Sequence, residues 1–445
     1  MALKSIKSGP FSRGFALAKV SVSAGAKAAG HALGNLFGDE GTRDDRLKEM
    51  LTSQMDLLSK ELGKLKGSVM KVGQMLSMYG EHLLPPEANQ LLKSLQNQSP
   101  PLAWEAIEKQ LKRQLGAEKL ALLEIDREPH ASASLGQVHR ATIRATGEKI
   151  ALKIQYPGVD QAIESDLSAL KSLLTMSKLI PKGPKYDELF KEVRQMMHQE
   201  VDYSKELIAT DEFRELLGDD PLLVIPRTFP EFSSKRILAT SFEEGVSMES
   251  PEVLSLSQER RNAIGLKFLD LYFRELFMLG RLQTDPHFGN YRVRLGVNGE
   301  PDRLILLDFG AVRKFPKEFL TPYFNMVRAV YTLDDAAVEK AASKLGFLFE
   351  DDPEALKRSF CELCYLFTEP FSKENQPYDW GASDLPKRVV KVASDIVWGF
   401  RLRVPPREVV FLDRKMGGVF VVLSVLKVKA SGRELLESYM QRTPY

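Results

Sequence analysis

Over the first quarter of the chain, apolar residues recur every three or four positions, and this spacing predicts helices. From 46 to 65 the stripe runs Leu47, Leu51, Met55, Leu58, Leu62 and Leu65. It resumes from Gly67 to Met78 with Val69, Met70, Val72, Met75 and Leu76. Pro85-Pro86 stops it, and Pro86 with Glu87 opens the next helix, since proline fits the first helical turn. Gln98-Ser99-Pro100-Pro101 is a further break before a helix from Trp104 to Leu115. The period then drops to two. Gln137 to Ile143 alternates, Thr146-Gly147-Glu148 turns, and Lys149 to Gln155 returns as the second strand of a hairpin. Helical spacing covers Asp160 to Leu179 and, as one element, Tyr186 to Leu217. Leu222 to Ile225 and Arg236 to Phe242 read as short strands, and Ser257 to Leu282 as a long helix. Tyr291 to Leu295 and Arg303 to Leu307 flank Asn298-Gly299 as a second hairpin. Everything after Pro316 reads helical.

The pattern is α+β, in four parts: a basic N-terminal segment (1–38), a helical extension (39–128), a small sheet-plus-helix lobe (129–245) and a larger, mainly helical lobe (246–445). Glu243-Glu244-Gly245 is the hinge that this reading places between the lobes. The 445 residues are 43% hydrophobic and 27% charged, as in ordinary globular proteins. A net charge of +2 supplies no global basic field and argues against nucleic acid as a partner. Met1 to Gly38 carries Lys4, Lys7, Arg13, Lys19 and Lys27 with no acid. It reads as a segment resting on anionic lipid, as a mitochondrial transit peptide, or as a loosely docked tail. No apolar run is long enough to span a bilayer; Val419 to Leu426 is a core helix or strand. The two cysteines, Cys361 and Cys364, exclude a disulfide framework and point to a reducing compartment. With no second pair to complete a zinc site, their apolar surroundings make them core packing.

The candidate chemistry is dispersed. Lys153 lies on the second strand of the first hairpin, where a kinase-like fold places the lysine that holds nucleotide phosphates. Alone it would read as a solvent-facing strand lysine. Glu206, on the acid-rich helix that follows, is the residue assigned to pair with it. Asp285-Pro286-His287-Phe288-Gly289-Asn290 has the D-x-x-x-x-N spacing of a kinase catalytic loop, with Asp285 to orient or deprotonate an attacking hydroxyl and Asn290 to ligate magnesium. Asp308, in Asp308-Phe309-Gly310 at the end of an apolar strand, is the second magnesium ligand. Where a glycine-rich phosphate loop is expected stand Ala131, Ser132, Ala133, Ser134, Leu135, Gly136 and Gln137. Only one of these is glycine, so backbone contact with phosphate is altered. No A-P-E signature follows Gly310, so a peptide-substrate platform is missing.

These motifs together resemble the ABC1/ADCK/UbiB family of atypical kinases, within the protein-kinase-like superfamily, from about Asp39 to the C-terminus. Lys71-Val72-Gly73-Gln74 matches the family's KxGQ, the segment from Ala131 to Gln137 its alanine-rich loop, and Glu200-Val201-Asp202 its ExD. The chain departs from the family in Phe288, where proline is common, and in Ser132 and Ser134 within the alanine loop. The resemblance implies a bilobal kinase-like fold whose KxGQ helix occludes the peptide entrance, with Lys71 paired to Glu200 or Asp202 and Gln74 in the same regulatory element. It implies ATP or ADP and Mg2+ as cofactors, and ATPase or small-molecule (lipid) kinase activity in support of isoprenoid-quinone biosynthesis. It also implies isoprenoid lipid and quinone-biosynthesis proteins as partners, with peripheral membrane contact. The location would be the matrix side of mitochondria in a eukaryote, and cytoplasm or inner-membrane surface in a bacterium. The alternative is a pseudokinase scaffold switched by nucleotide.

Overall fold

The computed structural model describes residues 68–79, 84–94, 101–176, 179–400 and 407–445. The basic segment 1–38 and the helix expected from 46 to 65 lie outside the described residues. The chain divides into two compact units that alternate along the sequence. The first takes in the described residues up to Ile208 and then Arg227–Phe242; the second takes Ala209–Pro226 and Glu243–Tyr445.

The first unit opens with helices α1 (Ser68–Tyr79), α2 (Pro86–Ser94) and α3 (Trp104–Ala121). The chain then forms β1 (Leu123–Ile125), β2 (Ala131–Ser132), β3 (Gly136–Ile143) and β4 (Lys149–Gln155). Helices α4 (Val159–Met176), α5 (Pro184–Glu200) and α6 (Tyr203–Leu217) follow. Strand β5 (Leu223–Val224) belongs to the second unit, and β6 (Ile237–Ser241) completes the first. Its sheet runs β1-β3-β4-β6, with β2 beside β3, and every pairing is antiparallel. Strand β4 is central, and its alternation sets its two faces. Ile150, Leu152 and Ile154 are fully buried, while Lys149, Ala151 and Lys153 point the other way. Helix α1 packs on α2, α4 and α5 through Val69, Val72, Met75 and Leu76. That face is the apolar stripe read from the sequence.

Where one helix was expected from Tyr186 to Leu217, the structure has two. Helix α5 ends at Glu200, with Val201 as its C-cap, and Asp202 starts α6 by accepting the Ser204 N–H at 3.2 Å. A short polar side chain at a helix start replaces the missing intrahelical acceptor. Gln155 of β4, fully buried, donates to the Val201 carbonyl at 2.8 Å and holds the break in place.

The second unit has a four-stranded sheet in the order β5-β10-β9-β7, with β7 (Val246–Ser247), β9 (Tyr291–Arg294) and β10 (Arg303–Leu306). The ribbon β8 (Arg281–Gln283) with β11 (Val312–Lys314) stands apart from it. The β9–β10 connection turns through Asn298 (φ 54°) and Gly299 (φ 87°), the left-handed pair expected there. The long helix expected from Ser257 to Leu282 is a correction. Helix α7 (Gln258–Phe273) passes into a π-helical turn at Arg274–Leu279 and stops at Gly280, whose φ is 60°, before β8 begins. Among the described residues a one-turn helix at Pro251–Leu254 precedes α7, and the longer helices that follow it are α8 (Lys317–Tyr331), α9 (Asp335–Lys344), α10 (Glu354–Thr368), α11 (Leu385–Phe400), α12 (Arg407–Val425) and α13 (Arg433–Arg442). Helix formation after Pro316 is interrupted by one small ribbon, Tyr378–Asp379 against Lys429–Ala430. Cys361 and Cys364 are buried in α10, and burial pushes the Cys361 thiol up to about 11, which suits packing rather than reactivity. Among the described residues no helix is long and apolar enough to cross a membrane.

Candidate functional site

In the first unit, the register of the sheet fixes Lys153 between Val138 on β3 and Leu238 on β6. Its Nζ donates to both carboxylate oxygens of Glu206, at 2.7 and 2.9 Å. The Glu206 side chain is 5% exposed and that of Lys153 20%. Burial of that degree makes the pair a directional contact rather than a solvated one. The Tyr203 ring lies 5.2 Å from the ammonium and closes one side. Glu206 comes within reach because the chain breaks at Val201-Asp202 and α6 restarts there.

The same break separates the two acids of Glu200-Val201-Asp202. Glu200, at the end of α5, forms an ion pair with Lys71 of α1. Asp202 bonds Ser204 and caps α6 instead. So the structure brings Lys71 to Glu200. Gln74, one turn further on, is half-buried.

The segment from Ala131 to Gln137 forms a tight hairpin. Ala131 faces Val138 and Ser132 faces Gln137 across it. The Ala133 N–H donates to the Gly136 carbonyl at 2.8 Å, and the His130 N–H to that of Val138 at 2.8 Å, so these donors are spent inside the hairpin. Ser134 lies at the tip and Leu135 is buried. A Cβ on Gly136 would stand 2.3 Å from the Ile154 carbonyl oxygen, so the lone glycine permits the close approach of β3 to β4. Beneath it lies a buried polar cluster that sequence reasoning missed. The Gln137 Oε1 accepts the Leu102 N–H at 2.9 Å, and its Nε2 lies 2.9 Å from the His139 Nε2. The His139 Nδ1 lies 2.7 Å from the Asp126 carbonyl oxygen, which makes Nδ1 the protonated nitrogen. Burial pushes this imidazole below its ordinary 6.5, against the pull of the Asp126 carbonyl and the Asp126 and Glu128 carboxylates.

In the second unit, Asp285 to Asn290 forms a loop held from several sides. The Asp285 N–H donates to the Gln283 Oε1 at 3.1 Å, and the Asn290 Nδ2 to the Asp285 carbonyl at 3.1 Å. The His287 Nδ1 accepts the Gly289 N–H at 2.9 Å. The Asn290 carbonyl accepts the Leu307 N–H at 2.9 Å, which ties this loop to the strand leading to Asp308. One Asp308 oxygen accepts the Gly310 N–H at 2.9 Å, and Phe309 is buried with its ring 5.0 Å from that of Phe213. Arg414 on α12 donates to Asp285 Oδ1 at 2.6 Å, a contact no local motif announced. An arginine bonded to one carboxylate oxygen fixes the direction of the group, which suits orienting a hydroxyl.

Among the described residues no group of three His, Cys, Asp or Glu gathers as a metal cage. Asn290 spends its amide N–H on the Asp285 carbonyl and keeps an amide oxygen, while Asp308 adds a carboxylate. Few oxygen donors of this kind fit Mg2+, which takes one or two protein ligands together with waters and phosphates. Lys153 supplies a fixed cation of the type that pairs nucleotide phosphates.

The sequence model of the ABC1 atypical kinase-like domain matches residues 94–342. The chain is 34% identical over 378 residues to a zebrafish (Danio rerio) protein named atypical kinase COQ8B, mitochondrial, a match covering 84% of this chain and 59% of that one. It is 32% identical over 373 residues to the Saccharomyces cerevisiae atypical kinase COQ8, mitochondrial, over 83% of this chain and 73% of the relative. This chain thus spans little more than half the length of the zebrafish relative. Among solved structures, the Mycobacterium tuberculosis protein Rv3197, in a complex with erythromycin, superposes with a TM-score of 0.63. That match is 27% identical and covers 89% of this chain and 98% of the other.

Proposed function

Because the chain belongs to the ABC1 atypical kinase-like family and has its kinase-like α+β fold, we propose that it binds a magnesium–nucleotide complex and turns over ATP. The activity would be that of an ATPase or a small-molecule (lipid) kinase supporting isoprenoid-quinone biosynthesis. The observation that carries this reading is the bidentate Lys153–Glu206 pair, at 2.7 and 2.9 Å. A lysine held at two points has a fixed position, which is what a phosphate clamp requires. In this reading Lys153 binds the phosphates and Glu206 fixes it. Asn290 and Asp308 hold Mg2+, and Asp285, oriented by Arg414, positions the acceptor, either water or a lipid hydroxyl. Magnesium supplies neutralisation of phosphate charge. ADP is the alternative occupant of the same groups.

A mitochondrial location is supported by the names of the zebrafish and yeast relatives; the quinone assignment and the matrix side rest on the family resemblance. Peripheral contact with an anionic membrane belongs to the same proposal. The test is Mg2+-dependent ATP hydrolysis by the purified full chain, with and without anionic liposomes, beside Asp308→Asn. Turnover that rises with liposomes and vanishes in the variant supports a lipid-coupled ATPase. A second reading, a scaffold switched by nucleotide, is favoured by the Lys71–Glu200 pair and by the inward-turned amides of the Ala131–Gln137 hairpin. Nucleotide binding without turnover under every condition would select it.

A further inference from the structure

Below the Asp285 loop, within the second unit, lies a buried ionic cluster for which the proposed reaction has no direct use. Lys415 of α12 is 1% exposed, and so is Glu275 of the π-helical turn. A buried ammonium persists only when its protons are taken up. Lys415 Nζ donates to the Tyr291 hydroxyl oxygen at 2.9 Å and lies 3.8 Å from the Glu275 carboxylate, with the Phe268 ring 5.5 Å away. Burial alone would lower the Lys415 pKa; Glu275 and Tyr291 outweigh it and the net direction is upward. Burial pushes the Glu275 carboxyl up to about 7 against the pull of Lys415.

An ammonium has three donors and no acceptor. Its contact therefore occupies a lone pair on the Tyr291 oxygen and turns the phenolic proton away. That proton goes to the Gln283 Oε1, 3.0 Å distant. With its oxygen committed to the Tyr291 hydroxyl and to the Asp285 N–H at 3.1 Å, the Gln283 amide must present its NH2 on the other side. There it donates to the Asp308 carbonyl at 3.2 Å. The Gln283 N–H is itself held by Glu275 at 3.1 Å. One amide thus clasps the backbones of both acidic residues, and a charge behind it fixes which end faces which. The π-helical turn accounts for Glu275: the extra residue per turn directs this acid toward β8 just before Gly280 ends the helix.

We propose that Lys415, through Tyr291 and Gln283, is a positioning residue that sets the spacing between the Asp285 and Asp308 backbones. Its kinetic consequence rests on the magnesium–nucleotide reading; its structural consequence does not. The experiment pairs hydrogen exchange of the unliganded full chain with ATP turnover, for wild type, Tyr291→Phe, Lys415→Met and the double variant. Tyr291→Phe deletes one oxygen and keeps the ring, so folding is retained even if Lys415→Met, which strands Glu275, is poorly folded. In Tyr291→Phe, exchange at residues 285–290 and 308–311 should quicken about tenfold, the scale of one lost buried hydrogen bond, while the β3–β4 hairpin is unaffected. kcat should fall about tenfold with KM for ATP unchanged. In the double variant the loss should not exceed that of the worse single one, since both cut the same relay. Unchanged exchange in those segments, or a KM effect with kcat intact, overturns the relay. Quickened exchange with a wild type that never turns over ATP supports the relay and removes the catalytic reading instead.

Discussion

Lys71 and Glu200 are joined in an ion pair although one lies on the first described helix and the other closes α5. Their side chains are 11% and 23% exposed, so the contact is largely shielded from water. Helix α1 is thereby fastened by charge as well as by its apolar face. Removing the lysine should loosen that fastening without emptying the core. Lys71→Ala, and Gln74→Ala beside it, should give a folded protein that phosphorylates itself, read as added phosphate by intact mass. A variant that stays unmodified in Mg2+ and ATP contradicts the occluding role.

Lys153→Ala removes the ammonium that holds both oxygens of the Glu206 carboxylate, which is 5% exposed. Breaking a buried pair costs about 3 kcal/mol, and the proposed phosphate clamp goes with it. Nucleotide affinity should drop at least about tenfold by titration calorimetry. Glu206→Gln keeps the volume and should weaken binding with a smaller loss of melting temperature. Unchanged affinity in both variants would remove Lys153 from the nucleotide site.

His139 gives stability a pH dependence of known sign. Its imidazole is buried neutral and its pKa in the fold is depressed. The unfolded chain therefore binds the proton more readily, and stability rises with pH across that interval. The contribution is fully present above about pH 6.5, the unfolded value, and is lost as pH falls toward the depressed one. Below it, a protonated Nε2 would turn a donor toward the Gln137 amide donor that it now accepts from. The melting temperature should fall between about pH 7 and 5, and a His139→Gln variant should show a shallower slope. Equal slopes would place the titration elsewhere.

Gly418 on α12 faces Pro286, and a Cβ there would stand 2.0 Å from the proline Cβ. Gly418→Ala must displace the loop or the helix, at a cost of about 1–3 kcal/mol for overpacking. Turnover should fall more than melting temperature suggests, because Asp285 is the next residue along the loop. The matching control is Gly417→Ala, where no atom lies within 4 Å of the added carbon. If both variants behave alike, the Pro286 contact is without consequence.

The hairpins, the kinase-type spacing from Asp285 to Asn290 and the tripeptide at Asp308 were readable because each is set by neighbours in sequence. So was the stripe on α1, since helical spacing is a local property. What escaped was decided at long range. Nothing between Tyr186 and Leu217 announces that Gln155 will take the Val201 carbonyl and split the helix. The π-helical turn after Phe273 looks like a continuing α-helix in its apolar spacing. Arg414 and Lys415 are adjacent basic residues in an apolar stretch, a pattern that reads as a solvated edge until Asp285 and Tyr291 are placed beside it. The passage of 209–226 into the second unit was equally hidden, because β5 pairs with β10 and not with the strands nearest it in sequence.

The support of the Asp285 loop by α12 bears on how the protein is made. Arg414 follows Asp285 by 129 residues, and Lys415 follows Tyr291 by 124. During synthesis at roughly 5–20 residues per second, the loop leaves the ribosome many seconds before its braces do. A nascent chain that already carries Lys153, Asp285, Asn290 and Asp308 still lacks what holds the loop. The loop thus acquires its final order only once Arg414 of α12 has been synthesised, 129 residues after Asp285.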